Sequence, residues 1–254
     1  MKLYQIYFSP TGGTKKVTEV LAQTWQCQKE EIDLLKPTVQ GEAYLFEKED
    51  VCIIAVPSFG GRAPGVAIEK LAKMKGNGAT AILTAVYGNR EFEDTLVELQ
   101  DTLEEAGFCC QAAVAAVAEH SIIHEFAAGR PDEADQEELR AFAKEIQRVL
   151  SKENAEREVQ IPGDRPYREF GGVPMKPKAG KDCNQCGICA KECPVGAIPV
   201  DNPSETDTQK CISCMHCIAV CPKGARKNSK TLLFAAKQNM KKSCSGRKKN
   251  QLFV

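Results

Sequence analysis

The sequence predicts an α/β protein in which a doubly wound parallel sheet of five strands is followed by a small cysteine-rich domain. Over the first 150 residues, short apolar runs alternate with amphipathic helix patterns, which is typical of βαβ units. Eight of the 13 cysteines lie between Cys183 and Cys221. A chain of 254 residues is long enough for two domains with separate cores.

Each element of the sheet domain follows from its residue pattern. The continuous apolar run 51–56 predicts a strand covered on both faces, whereas 31–35 is expected at an edge. The predicted strands are 2–8, 31–35, 51–56, 80–87 and 108–118, and the predicted helices follow Gly13 and span 64–75, 92–106 and 132–150. In a sheet of this kind the ligand site is expected at the carboxyl ends of the strands.

The formal net charge of zero conceals an acidic half and a basic half. Residues 1–150 contain 15 basic and 24 acidic side chains, and the remaining residues contain 19 and 10. Proline and glycine are frequent in the stretch before the cysteines, where Tyr167, Phe170, Val173 and Met175 favour docking on a domain. We therefore predict an α/β domain at 1–152, a linker at 153–180, a cysteine domain at 181–226 and a basic tail at 227–254.

Several functional classes are disfavoured. The longest apolar runs, such as 112–118, are far shorter than the roughly 20 residues of a membrane span. The first residues predict a strand and not a signal peptide, so we expect a reducing, cytoplasmic location. The basic tail has no regular alternation of cations with aromatic residues, so a role in nucleic-acid binding is not expected.

The cysteine cluster contains one spacing pattern twice. Cys-x2-Cys-x2-Cys-x3-Cys-Pro begins at Cys183 and again at Cys211, which indicates an internal duplication. Three closely spaced thiolates can hold one iron–sulfur cluster while the fourth reaches the other cluster. The predicted ligands are Cys183, Cys186, Cys189 and Cys221 for the first [4Fe–4S] cluster and Cys193, Cys211, Cys214 and Cys217 for the second.

Structural zinc is the alternative, but zinc sites pair their cysteines, whereas this sequence has two overlapping triplets. His216 is expected to be a loop side chain near a cluster and not a ligand. Across about 181–226 the sequence resembles the bacterial two-cluster ferredoxins. That resemblance implies a small α+β domain that transfers single electrons.

A glycine-rich loop follows the first predicted strand. Hydroxyls at Ser9, Thr11 and Thr14, together with amides freed by Gly12 and Gly13, predict an anion site at a helix N-terminus. The alternative is a capped helix after a tight turn. The loop matches neither G-x-G-x-x-G nor the P-loop, which argues against nucleotide hydrolysis.

The loop resembles the phosphate loop of flavodoxins and so implies FMN. Two further loops lie where flavodoxins contact the flavin ring. The implied contacts are Pro57, Ser58, Phe59, Gly60 and Gly61 after the third strand, and Tyr87, Gly88, Asn89 and Arg90 after the fourth. The alternative for Phe59 and Tyr87 is packing within their loops. The second loop lacks the acidic Gly-Asp stretch of true flavodoxins.

The whole chain resembles the flavodoxin–ferredoxin fusions of anaerobic bacteria, the EFR-type ferredoxins. The match also includes Glu119-His120-Ser121 and Gly129-Arg130-Pro131-Asp132. The resemblance implies that His120 and Ser121 border the flavin. We predict no catalytic side chain, because the chemistry would be done by FMN; His120 and Arg90 are the only side chains considered as candidates. The alternatives are a strand-end histidine and a solvated arginine.

Iron–sulfur clusters transfer single electrons, and a flavin accepts one or two. Their combination in one chain therefore predicts an intramolecular electron relay. An enzyme of this kind would be an FMN-dependent oxidoreductase that reduces a small molecule. The alternative is a carrier that passes electrons to a redox protein. An open cleft above the flavin would favour the enzyme, and a covered flavin with exposed clusters would favour the carrier.

Overall fold

The computed structural model describes residues 1–151 and 159–254. The sheet domain contains strands β1 to β5 and helices α1 to α4. In chain order these are β1 (Leu3–Tyr7), α1 (Gly13–Ala22), β2 (Lys29–Asp33), β3 (Val51–Pro57), α2 (Gly65–Leu71), β4 (Thr80–Tyr87), α3 (Thr95–Glu105), β5 (Cys109–Val117) and α4 (Glu133–Leu150). A short 3-10 turn at Gly41–Ala43 precedes β3.

The strand order of the large sheet is β2-β1-β3-β4-β5-β8, where β8 (Gln251–Phe253) is the last strand of the chain, and β1 to β5 are parallel. The order 2-1-3-4-5 is that of a flavodoxin-like doubly wound sheet, whose switch point lies between β1 and β3. The predicted fold class is therefore confirmed. The loops after β1 and β3 diverge at this point and open a crevice at the carboxyl ends of the strands.

Side chains alternate between the two faces of the sheet, so the core has two layers. Ile54 faces the layer under α2 and α3, which also contains Leu71 and Leu99. The adjacent Ile53 faces the opposite layer under α1 and α4, together with Leu139. Both isoleucines have no exposed surface, as the continuous apolar pattern of the central strand predicts.

The cysteine domain is small and has little regular structure. It contains β6 (Lys178–Ala179), α5 (Ile188–Lys191), α6 (His216–Ala219) and β7 (Arg226–Lys227), with β6 and β7 antiparallel. The one-turn helices α5 and α6 occupy equivalent positions in the two cysteine repeats. Each follows a residue with positive φ, Gly187 or Met215, where the chain turns between two cysteines.

The basic segment predicted at 227–254 is folded onto the sheet domain and is not a free tail. It contains α7 (Lys230–Met240) and β8 (Gln251–Phe253), which pairs antiparallel with β5. The Asn250 amide oxygen accepts the Val117 N–H at 2.8 Å, and the Arg247 guanidinium binds Asp132 at 2.6 Å. The basic segment thus pairs with acidic groups near the start of α4.

The described part of the linker, 159–180, docks on the sheet domain. Asp94 is the N-cap residue of α3, but its carboxylate accepts no hydrogen bond from its own helix. It accepts instead from the backbone N–H groups of Asp164 at 2.9 Å and Arg168 at 2.7 Å. Burial raises the pKa of Asp94, and these backbone donors lower it to a net value below the ordinary one. The first part of the predicted linker, 153–158, lies outside the described residues.

Replacing Asp94 by alanine should release this segment. Two hydrogen bonds to a charged acceptor stabilise the docked linker, each by about 1.5–3 kcal/mol, so the open population should rise by more than about tenfold. Limited trypsin digestion should then cleave after Arg168 correspondingly faster; the Arg165–Pro166 bond resists trypsin and is not a reporter. D94N keeps one acceptor oxygen and should show a smaller increase; equal digestion of D94A and the unaltered protein would contradict the assignment.

Candidate functional site

The main feature of the candidate site is an interdomain pocket at the carboxyl ends of the parallel strands. The sheet domain supplies its floor through the loops after β1, β3, β4 and β5. The opposite wall comes from the linker, the cysteine domain and α7. That wall comprises Val173, Met175, Ile212, Ser213, Cys214, Ala236 and Met240. The pocket therefore belongs to both domains.

The phosphate-type loop, residues 9–14, which follow β1 and enter α1, has the backbone arrangement of an anion site. Gly12 has φ +90° and is the N-cap residue of α1, a conformation that favours glycine. The Ser9 hydroxyl accepts the Lys15 N–H at 2.9 Å and so fixes the loop without facing the pocket. Within the described chain, the backbone N–H groups of residues 11–14 donate to no protein acceptor. Four free amides at the positive end of α1 fit a phosphate.

The structure places most of the predicted flavin contacts on the pocket wall. Those that line it are Thr11, Gly13, Thr14, Pro57, Ser58, Phe59, Gly60, Tyr87, Gly88, Arg90, His120 and Ser121. Ser9, Gly12, Gly61 and Asn89 do not line it. Asn89 is buried, and its amide donates to the carbonyls of Cys244 and Gly246 at 2.7 and 2.8 Å. It therefore anchors the C-terminal segment.

His120 has a fixed tautomer. Its Nδ1 accepts the backbone N–H groups of Ile122 and Ile123, both at 3.1 Å, so the proton of the neutral ring is on Nε2. Burial lowers the pKa of His120 to about 4. A Cβ at Gly88 would lie 2.7 Å from the ring, so glycine is required there. With this pKa, His120 does not supply an imidazolium proton at pH 7.

The two arginines near the pocket are engaged in ion pairs and are not free cations. Arg90 binds Glu93 through two hydrogen bonds, at 3.0 and 2.5 Å. Arg62 binds Glu98 in the same manner, at 2.8 and 2.7 Å. Arg90 still borders the pocket, whereas Arg62 secures the loop after β3 to α3. Neither side chain is therefore a free cation, although both remain partly exposed to solvent.

Tyr87 is part of the core as well as of the pocket wall. Its side chain is 3% exposed, and its ring centroid lies 5.4 Å from that of Phe92. Burial raises the pKa of the Tyr87 phenol to about 12, so it stays protonated at neutral pH. The structure favours packing within the protein for Tyr87. Phe59 lines the interdomain pocket and also a neighbouring groove that includes linker residues such as Val173.

The cysteines converge around two separate cavities. The outer cysteine site consists of Cys183, Cys186, Cys189 and Cys221, which line one cavity. The inner cysteine site consists of Cys193, Cys211, Cys214 and Cys217, which line the other. Each set combines three cysteines of one repeat with the last cysteine of the other. In the described residues, no three His, Cys, Asp or Glu side chains are arranged to hold a single metal ion.

Backbone donors surround the last cysteine of each repeat. The N–H of Ala197 donates to Cys193 Sγ and that of Ala225 to Cys221 Sγ, both at 3.3 Å. Burial raises the pKa of the Cys214 thiol to about 12, so this cysteine would become a thiolate at neutral pH only with a bound metal ion. Two four-thiol cavities with N–H···S donors fit iron–sulfur clusters.

The inner cysteine site adjoins the interdomain pocket. Cys214 lines both cavities. His216 begins α6, and its Nδ1 lies 2.8 Å from the Pro10 carbonyl oxygen in the phosphate-type loop. Since a carbonyl only accepts, Nδ1 must carry the proton. His216 is therefore a link between the domains, a contact that the sequence pattern did not indicate.

The outer cysteine site faces away from the pocket. All residues that line its cavity belong to 183–226, and none belongs to the sheet domain. Cys186 is exposed, and Ile188 has 39% of its surface accessible. The two sites thus differ in position: one borders the interdomain pocket and the other lies at the protein surface.

Comparisons with known proteins agree with this division. Residues 182–226 match the family described as a 4Fe-4S dicluster domain. A 55-residue stretch is 42% identical to one subunit of the ion-translocating oxidoreductase complex of Methanosarcina acetivorans, and it covers 21% of each chain. The chain thus matches about a fifth of that relative's length.

Solved structures similar to the sheet domain include a flavodoxin of Streptococcus pneumonia TIGR4, with 18% identity and a TM-score of 0.45 over 58% of this chain and 99% of the flavodoxin. Another is oxidised flavodoxin 1 of Bacillus cereus, with 18% identity and a TM-score of 0.43 over 59% of this chain and 100% of that one. The fold assignment rests on the strand order.

The fold and the dicluster match together define the class of protein. The chain joins a flavodoxin-like α/β domain to a 4Fe–4S dicluster ferredoxin domain in one polypeptide. The helices among the described residues are too short or too polar to cross a bilayer.

Proposed function

We propose that this chain is an electron-transfer iron–sulfur flavoprotein that holds two [4Fe–4S] clusters and FMN. One observation carries the proposal: the interdomain pocket has the phosphate-type loop on one side and Cys214 of the inner cysteine site on the other. When bound, each cluster supplies one-electron chemistry and FMN accepts or donates one or two electrons. The protein's part is to hold these groups side by side.

The residues divide into three tasks under this proposal. The free amides of 11–14 bind the phosphate, and the loops after β3, β4 and β5 surround the flavin ring. The inner cysteine site lies beside this pocket, so it is the proximal partner of the flavin. The outer cysteine site, with exposed Cys186, is the position at which a redox protein would exchange electrons.

We favour the carrier over a small-molecule reductase because the linker, the cysteine domain and α7 cover the pocket. A second candidate, reduction of a small molecule at the flavin, is favoured by a groove that adjoins the pocket and shares Phe59, Val173 and Ile212 with it. Oxidation of the reduced protein by benzoquinone and by cytochrome c distinguishes the two. Saturation with benzoquinone indicates a small-molecule site, whereas faster oxidation by cytochrome c without such saturation supports the carrier.

The composition of the purified protein tests the proposal directly. After anaerobic purification and reconstitution with FMN, we expect about eight irons, about eight sulfides and one FMN per chain. Bound zinc in place of iron would refute the cluster assignment. Failure to bind FMN with the clusters in place would refute the flavin assignment.

His216 provides a prediction about contact between the domains. H216L removes the hydrogen bond to Pro10, worth about 1 kcal/mol, and should slow electron transfer between clusters and flavin by about 5- to 10-fold. Rapid mixing of the loaded protein with a reductant, followed by flavin absorbance, measures this rate. H216N keeps an N–H donor near the Nδ1 position and should transfer electrons at close to the unaltered rate. Unchanged transfer in H216L with full iron content would contradict this role.

A further inference from the structure

Arg226 is a buried cation without a carboxylate partner. Its side chain is 1% exposed and is the largest among the fully buried side chains. The guanidinium donates to Thr206 Oγ1 at 2.7 Å and to backbone carbonyls of residues 177, 203 and 205 at 3.4, 2.6 and 2.8 Å. In 1–151 and 159–254, no Asp or Glu forms an ion pair with it. An uncompensated buried charge is costly, so a counter-charge is expected nearby.

The remaining partner of Arg226 is a cysteine of the outer site. Its Nε donates to Cys189 Sγ at 3.2 Å, and both side chains are buried. A cysteine that binds iron does so as thiolate, and four thiolates together make a loaded site anionic. The loaded outer site therefore supplies the negative charge that the hydrogen-bond partners of Arg226 otherwise lack.

The internal duplication provides a comparison within the molecule. The segment Cys221-Pro-Lys-Gly-Ala-Arg226 has the counterpart Cys193-Pro-Val-Gly-Ala-Ile198 in the first repeat. Both segments donate an equivalent N–H to the sulfur of their cysteine, at the same distance of 3.3 Å. Ile198 is the counterpart of Arg226 in the first repeat; it is 4% exposed and lines the inner cavity together with Cys217. The segments match in backbone donors and differ in two charges: Lys223 replaces Val195 at an exposed position, and Arg226 replaces Ile198 at a buried one.

We propose that Arg226 makes the two clusters unequal and gives the outer cluster the higher reduction potential. This inference rests on the proposed function, because it requires both clusters. Reduction adds negative charge to an anionic cluster, and a buried cation bonded to a ligand sulfur stabilises the reduced form most strongly. The charge of Arg226 also acts on the inner site, but the hydrogen bond is made to the outer site alone. The first electron taken up therefore remains next to the protein surface.

A redox titration of the full chain, followed by electron paramagnetic resonance, tests this. The unaltered protein should show two separate one-electron cluster transitions. In R226Q, which removes the charge but keeps donors for the carbonyls, the higher potential should fall towards the lower one. R226K retains the charge and should fall less. K227Q removes an exposed charge from the neighbouring residue and should leave both potentials in place.

The assignment to the outer cluster is tested with C186A, which removes an outer ligand and should abolish the higher [4Fe–4S] transition. Coincident potentials in the unaltered protein would overturn the inference, even if R226Q failed to retain iron. Unchanged potentials in an iron-replete R226Q would overturn it as well. An unaltered protein without iron would refute the proposed function itself, whereas eight irons with coincident potentials would refute this inference alone.

Discussion

Replacing Thr11 by glutamate is expected to lower the affinity for FMN by at least about 100-fold, or roughly 3 kcal/mol. Thr11 lies in the phosphate-type loop, lines the interdomain pocket and has an exposed side chain. A carboxylate there would oppose the phosphate in a site whose other groups are backbone N–H donors. Titration of the iron-loaded protein with FMN, followed by flavin fluorescence, measures the change.

Two matched variants and an iron assay control this experiment. T11S keeps the hydroxyl and should bind FMN within a few-fold of the unaltered protein. T38E places the same charge on an exposed threonine outside the pocket and should bind normally. Iron and sulfide should be unchanged in T11E. Normal FMN binding by T11E would contradict the phosphate site, and a joint loss of iron would show that the two domains do not load independently.

Replacing Arg130 by methionine should destabilise the sheet domain by about 3–5 kcal/mol. The Arg130 guanidinium binds the Asp135 carboxylate through two hydrogen bonds, at 2.8 and 2.5 Å, and both side chains are buried. Without this arginine, the buried carboxylate keeps Arg247, Asn250 and the Asp132 N–H as partners, which stabilise its charge less. Urea unfolding at pH 7, followed by the fluorescence of Trp25, the single tryptophan, measures the loss in this domain.

The Arg130–Asp135 ion pair also predicts that the effect of R130M on the free energy of unfolding depends on pH. Burial raises the pKa of Asp135, but Arg130 and the neighbouring donors lower it to a net value below the ordinary range. A carboxyl group with a depressed pKa stabilises the fold above its unfolded pKa of about 3.9, and this stabilisation is lost as the pH falls through the folded value. The difference between R130M and the unaltered protein should therefore be full above about pH 5 and shrink below about pH 4.

Arg247 offers the control, because it binds the same carboxylate at 2.9 Å from an exposed position. Water screens the exposed Arg247 guanidinium, so its pair with Asp135 should contribute only about 0–1 kcal/mol and R247Q should have a small effect at every pH. Equal destabilisation by R130M and R247Q would show that burial of the pair does not determine its energy.

The sheet was predictable because each of its strands has a local signal. The apolar run at 51–56 is long enough to be buried on both faces, and the structure extends it by one residue to Pro57. Helices were predicted less accurately at their ends: 64–75 contracts to Gly65–Leu71. The residues after Leu71 belong to the connection between α2 and β4. Tertiary contacts, and not the local pattern, determine where the helix ends there.

The strand β8 was missed because three residues are too short for a periodic signal. Gln251–Phe253 forms a strand only because the edge of β5 offers unpaired backbone groups and Asn250 fixes the register. The basic composition of this segment suggested a solvated tail. Its cations instead face acidic residues more than 100 positions away in sequence, such as Asp132 for Arg247.

By itself, the sequence determined the alternation that builds the parallel sheet and the duplicated cysteine spacing that defines two ligand sets. Both are local patterns, set by side-chain periodicity and by the short reach of a chain between neighbouring cysteines. Only the tertiary structure decided that Cys214 and the phosphate-type loop share one pocket, that His216 bonds Pro10, and that Arg226 is buried against Cys189. These contacts join residues far apart in the chain, and burial, which no local pattern specifies, sets their electrostatic strength.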